Sequence, residues 1–300
     1  MTIRCADSVI LDQWHPLSSI DEIITGRVHN TVLLEHPVSY AQDIDGNLHV
    51  WHRCETLPIH ARFDANKIPD PLPIKLAHGF LWTCLGAAPD NIFAVPELEE
   101  PDRQNVPTGV FGVNTSPGRA IENFLDMGHF PFVHTGILGE EPHTEVKEYD
   151  VELSESRDEI LATRCRFYQP KAALASEGGA DVDYVYRVPH INCALLYKSS
   201  PSAKDRMDVI YMFLQPMGPE WTRAHTGMCV IDDDNSYEAI RYFQQVIFGQ
   251  DKPILENQFP KQLPLDTRAE TPIRADKSAI AYRRWLTKKG LTYGVIPAAG

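Results

Sequence analysis

Asn123–Gly136 reads NFLDMGHFPFVHTG. Asp126 stands three residues before His129, His134 follows five residues after it, and Pro131 lies between the two histidines. On an unbroken helix, residues five apart point about 140° away from one another, so His129 and His134 could not share a ligand. A proline in a helix interior removes a hydrogen bond and clashes with the preceding turn. Pro131 is therefore expected to stop or kink the helix, so that the chain can bring His134 back beside His129. Asp126, one turn before His129, lies on its face and can accept the imidazole N–H that a metal leaves free, fixing tautomer and orientation. Two histidines with a carboxylate and open coordination positions are the donor set of non-haem Fe(II) oxygenases. Packing histidines are the competing reading. Zinc hydrolysis also uses two histidines and a carboxylate, but its usual H-E-x-x-H spacing is absent. A metal here would demand a third ligand elsewhere in the chain.

Working outward, Ser116-Pro117 starts the helix, since serine is a good N-cap and proline is tolerated at the first helical position. The helix is expected to run to about His129 with Ile121, Phe124 and Leu125 on its apolar side. Six segments downstream alternate as strands: EVKEYDVELS, EILATRCRFYQ, DVDYVYRV, INCALLYKSS, DVIYMFLQPMG and RAHTGMCVID. DDDNSYEAIRYFQQVIFGQD then turns to helical spacing, with Ile240, Phe243 and Ile247 on one face. Its aspartates lack the turn glycine and terminal glutamate of a calcium loop, so a capped strand-to-helix turn is expected. ADKSAIAYRRWLTKKG predicts a last helix from Asp276 to Gly290, with Lys288 and Lys289 where the helix dipole favours cations.

Residues 1 to about 105 look β-rich. HPVSYAQDIDGNLHVWHR reads as two strands joined at Asp45-Gly46, and HGFLWTCLG as a short apolar strand. VPELEEPDRQNVPTG, acidic and carrying three prolines, is the boundary candidate, read as a solvated connector. The pattern is α+β, with domains expected over 1–105 and 106–300.

The 300 residues carry 28 basic and 41 acidic side chains, a net charge of −13, which argues against nucleic-acid binding. No apolar run suggests a membrane span and the N-terminus does not read as a signal peptide. The six scattered cysteines suit a reducing compartment, so a cytoplasmic protein is expected.

IENFLDMGHFPFVHTGILG resembles the iron-site segment of the Rieske non-haem iron oxygenases, N-x-x-D-x-x-H-x-x-x-x-H, on Asn123, Asp126, His129 and His134. FGQDKPILENQFPKQLPLDTRAETPIRADKSAIAYRRWL is similar to the monooxygenase and demethylase branch, over a likeness that runs from roughly residue 105 to 290. The resemblance implies a helix-grip (START-like) antiparallel sheet wrapped on a long C-terminal helix, and a mononuclear Fe(II) held by His129, His134 and Asp251. Glu256, one turn along, is the rival carboxylate. Asp126 would orient His129 and connect to the incoming electron, and Asn123 would stand near it. Phe243, Gln244, Gln245 and Phe248 would offer one helix face to a small-molecule substrate, with core packing as their alternative role.

The family's [2Fe–2S] centre needs two cysteines on one iron and two histidines on the other, in C-x-H and C-x-x-H loops. Here Cys54 is followed two places on by Thr56, no C-x-x-H exists, and the pairs His52/Cys54 and His78/Cys84 have the wrong order or spacing. No cluster is expected in this chain, and residues 1–105 look like a truncated Rieske domain without its cluster loops. The resemblance extends to a cluster-less branch that removes the N7 methyl of methylxanthines. It implies electrons from NAD(P)H through a Rieske-bearing partner reductase, an oligomer, and a possible further structural subunit. O-demethylation or hydroxylation of a small aromatic acid, and a non-catalytic scaffold subunit, are the rival readings.

Overall fold

In Val209–Leu214 (VIYMFL) every position is apolar, where a strand with one wet face would alternate. The computed structural model, which describes residues 4–298, supplies the reason: this strand is buried on both sides. Thirteen strands make up the main sheets: β1 (His15–Ser19), β2 (His29–Leu33), β3 (His36–Gln42), β4 (Leu48–His52), β5 (Ile74–Ala77), β6 (Phe80–Thr83), β7 (Gln104–Val113), β8 (Asp150–Ser154), β9 (Glu159–Gln169), β10 (Ala180–His190), β11 (Cys193–Ser199), β12 (Met207–Gly218) and β13 (Trp221–Val230). β7 to β13 form one antiparallel seven-stranded sheet in the order β7-β13-β12-β11-β10-β9-β8. The first six strands form two three-stranded sheets, β1-β6-β5 and β2-β3-β4.

Alternation along the central strands sorts the two faces. Cys193, Leu195, Val209, Tyr211, Phe213 and Cys229 pack with Trp14, Phe80 and Trp82 from the N-terminal region. Leu196, Ile210, Met212 and Met228 turn the other way, into a core shared with the helices. The helices are α1 (Ser8–Leu11), α2 (Pro117–Leu125), α3 (Phe130–Val133), α4 (Tyr237–Asn257) and α5 (Lys277–Lys289). A two-residue parallel pair, β14 (Leu263–Pro264) with β15 (Val295–Ile296), completes the list. The expected α+β helix-grip arrangement is present: α4 packs on β7, α5 packs on β8 and β9, and α2 touches both helices.

Two boundaries differ from expectation. VPELEEPDRQNVPTG is not a connector throughout, because β7 begins at Gln104 and buries Val106 and Thr108 in the sheet. Its acids are also engaged, Glu100 accepting from Arg103 and Arg206 and Asp102 from Arg206. Asp276 precedes α5 as expected, yet its carboxylate accepts from the Ile273 N–H, 2.7 Å away, rather than capping the helix. Gly290 closes α5 in the left-handed conformation, φ 75°, which glycine adopts without steric penalty.

A buried ionic cluster locks α2 in place. Arg119, fully buried, donates to Glu122 and forks onto both oxygens of Glu270, while Arg283 of α5 donates to the same two acids. Loss of one partner from such a cluster strands a buried charge, so the helix leading to His129 is held firmly against α5. Among the described residues, no helix is long and apolar enough to cross a membrane.

Candidate metal centre and its cavity

Ser116 caps α2 through its Oγ, which accepts from the Arg119 N–H at 3.3 Å. The helix stops at Leu125, four residues earlier than its sequence suggests. Asp126 leaves it with extended backbone, φ −87° and ψ 117°, and its Oδ1 accepts from the Gly128 N–H at 2.7 Å. Such local bonding by aspartate competes with helix propagation, and here it turns the chain before Pro131 is reached. Pro131 then lies in the first turn of α3, where a missing N–H costs nothing. It therefore helps begin a helix and does not end one, correcting the expectation. His129 and His134 flank this single turn as its two caps. The turn packs tightly on Gly139, where an added Cβ would lie 2.7 Å from the Pro131 nitrogen.

The geometry brings three donors together. The Nε2 atoms of His129 and His134 lie 3.1 Å apart, and Asp251 Oδ1 is 3.3 Å from the first and 3.1 Å from the second. Each histidine has its other nitrogen held: His129 Nδ1 by Asp126 Oδ2 at 3.2 Å, and His134 Nδ1 by Gln250 Oε1 at 2.8 Å. With Nδ1–H donating outward, both Nε2 lone pairs face Asp251. Two lone pairs and a carboxylate oxygen at such separations repel unless a proton or a cation lies among them. Asp251 Oδ1 is buried and has no hydrogen bond of good geometry, as expected of an atom reserved for a cation.

Electrostatics agree. Burial alone would lower the His129 pKa, but its bonds to Asp126 and Asp251 outweigh that and carry it up to about 9. Burial would raise Asp251, but its contacts with His129 and His134 hold it below the usual carboxylate range. Among the described residues, His129, His134 and Asp251 are the one group of three or more histidine, cysteine or acidic side chains whose donor atoms converge, within 4.8 Å. Other buried histidines contrast with His129. Burial pushes His15 down to about 4 and His225 to about 3, and neither has a carboxylate to offset it.

Asp251 lies inside α4, which continues past the expected end of its periodic segment and through Pro253 to Asn257. Glu256 is turned away, accepting from Lys252 and from the Asn114 N–H at 3.0 Å. In the N-terminal region Cys54 contacts Thr56, Cys84 donates to the Leu11 carbonyl, and His78 bonds the Phe93 carbonyl.

His129, His134 and Asp251 line a partly enclosed, largely apolar cavity, the kind of recess that receives small organic ligands. Asn123, Phe243, Gln244 and Phe248 line it, and Phe248 packs on Phe111 with ring centroids 4.5 Å apart. Gln245 instead donates to the Thr108 carbonyl. Asn123, Asp126 and His129 also border a second, open groove with Glu270, Asp276 and Arg283. Asp126 is one-third exposed there, so the cluster is reached from outside through it. Several contributors went unread in the sequence. Gln250 was legible only as the sequence neighbour of Asp251, and nothing local showed that it meets His134. The sheet side of the cavity, including Gln169, Tyr184, Tyr186 and Lys198, could not be found: alternation along β9 and β10 shows which of their residues are buried, but not which strands stand side by side or what they face.

Residues 113–291 match the family model described as the vanillate O-demethylase oxygenase C-terminal domain. The chain is 43% identical, over 97% of its length and 99% of the relative's, to the probable methylxanthine N7-demethylase NdmC of Pseudomonas sp. (strain TJI-51). It is 23% identical to the methylxanthine N1-demethylase NdmA of Pseudomonas putida, over 70% of this chain but 58% of that protein. Among solved structures, Pseudomonas putida CBB5 NdmA QL mutant with theobromine superposes with TM-score 0.73 at 19% identity, covering 94% of this chain and 92% of the other. Dicamba monooxygenase bound to 3,6-dichlorosalicylic acid superposes with TM-score 0.74 at 15% identity, covering 93% and 97%.

Proposed function

The chain belongs to the vanillate O-demethylase oxygenase C-terminal domain family, within the Rieske non-haem iron oxygenases its sequence resembles, and from that premise we propose that it is a methylxanthine N-demethylase acting on the N7 methyl group. The observation that carries the reading is the convergence of His129 Nε2, His134 Nε2 and Asp251 Oδ1 at the wall of a mostly apolar cavity, in a chain 43% identical to a probable methylxanthine N7-demethylase over nearly its whole length.

In this reading His129, His134 and Asp251 hold Fe(II), and Asn123 stands beside them. Bound there, the iron would supply activation of O2 for hydroxylation of the N-methyl carbon. The net change consumes O2, two electrons and two protons, releases water, and leaves an N-hydroxymethyl group that breaks down to the bare N–H and formaldehyde. Asp126 and Gln250 orient the two imidazoles by accepting their Nδ1 protons. Phe124, Phe243 and Phe248 exclude water around the ring, and Gln244 adds a polar contact. Asp126 also faces the open groove, where a partner could deliver electrons. Residues 1–105 are read as the frame of a Rieske-like domain that carries no cluster, so the electrons come from NAD(P)H through a partner reductase that bears one. Further subunits, self-association and a cytoplasmic setting belong to the same reading.

An aromatic acid is the competing substrate, and Lys198 is a cation on the cavity wall. Asp208, equally buried and opposite Lys198 in the strand register, offsets that charge, which favours an uncharged ring. The iron-loaded chain with a Rieske reductase and NAD(P)H should release formaldehyde from 7-methylxanthine and not from methoxybenzoates. The opposite preference contradicts the proposal.

A further inference from the structure

A buried polar atom without a hydrogen bond is costly, so several on one cavity wall indicate a ligand that satisfies them. Four of the polar side chains on the sheet side of the cavity are Gln169 on β9, Tyr184 and Tyr186 on β10, and Lys198 on β11; Thr226 of β13, also there, is already bonded to Thr108. None is more than 3% exposed. Gln169 Oε1 and both tyrosine hydroxyls are without a hydrogen-bond partner. Lys198 pairs in register with Tyr184 on one side and Asp208 on the other, and its Nζ donates to the Ala172 carbonyl. Burial pulls its ammonium down to about 8 while Asp208 offsets its charge, and the N–H groups not spent on Ala172 remain available as donors. The wall thus offers one free acceptor, two free hydroxyls and one ammonium.

We propose that Gln169, Tyr184, Tyr186 and Lys198 recognise the pyrimidinedione ring of the substrate by its imide edge, the C(=O)–N(H)–C(=O) unit. This rests on the methylxanthine reading and extends it to how one nitrogen is selected. Gln169 Oε1 accepts the ring N–H, while Lys198 and the tyrosine hydroxyls donate to the flanking carbonyls. With that edge on the sheet, the imidazole end and its N7 methyl turn toward the helices that carry His129, His134 and Asp251. A methyl on the imide nitrogen removes the proton that Gln169 needs and sets carbon against its carboxamide, so the wall favours xanthines already bare at that nitrogen.

The test is calorimetric binding of 7-methylxanthine and of 1,3,7-trimethylxanthine to the full iron-loaded chain, with thermal midpoints recorded for every variant. Gln169→Leu should lower the preference for 7-methylxanthine by about tenfold, the worth of one hydrogen bond in a site built to receive it. Tyr184→Phe and Tyr186→Phe should each weaken 7-methylxanthine by about fivefold or more, with Tm unchanged or raised, because the removed hydroxyl had no partner in the free protein. A lowered Tm with unchanged affinity would show that the hydroxyls serve the fold and would overturn the inference. So would an unaltered preference in Gln169→Leu, leaving the methylxanthine reading intact. Wild-type protein that binds neither xanthine but binds a methoxybenzoate would overturn both.

Discussion

Replacing His134 by alanine should abolish stable iron binding and formaldehyde release together. His134 is 1% exposed, one of three converging donors, and fixed by Gln250. Two donors on one side of an ion do not hold it against water. Even the outer partners of metal-binding histidines are worth about 10–100-fold in affinity or activity, so a direct ligand should cost more than about 100-fold. The shortened side chain also leaves a void beside Phe130, so His134→Gln, closer in volume, is the companion variant. Both should retain a cooperative melt while losing iron. Either variant retaining one iron per chain and full turnover would place the metal elsewhere or make this chain a scaffold.

The second large effect is expected at Asp126, and it should differ in kind. Asp126→Asn keeps an oxygen for the Gly128 N–H or for His129 but removes the charge that makes His129 a strong donor. Turnover should fall by about 10–100-fold, while most of the iron remains, because all three direct donors survive. Gln250→Leu makes the contrast. It frees His134 Nδ1 inside the protein, so iron affinity should fall along with turnover. Iron and turnover measured on the same preparations separate the two roles. Equal iron loss in both variants would mean that Asp126 only positions a ligand and takes no part in receiving electrons from the groove.

The region that decides the site was legible because its signals are local. Ser116 and Pro117 mark the start of α2, β9 and β10 alternate visibly, and the spacing of His129 and His134 needs a chain break between them. Where the break falls was not legible. Pro131 was the obvious candidate, but the turn depends on Asp126 closing onto the Gly128 N–H, a competition between side chain and helix whose outcome rests on packing. The choice between Asp251 and Glu256 became clear only from the continuity of α4: five residues apart on one helix, they face about 140° away from each other, so only one can meet the histidines. Gln250 carries no spacing signal of its own. The polar wall at Gln169, Tyr184, Tyr186 and Lys198 depends on strand register across the sheet, which no local pattern encodes.

The central claim is that this chain holds one mononuclear iron and takes its electrons from a cluster carried by another protein. The direct measurement is iron and acid-labile sulfide per chain on anaerobically purified protein. The account predicts about one iron bound with no sulfide, and loss of that iron in His134→Ala. Two additional irons with matching sulfide would contradict it by showing a cluster in the N-terminal half, and a chain that takes up no iron on reconstitution would remove the metal centre altogether.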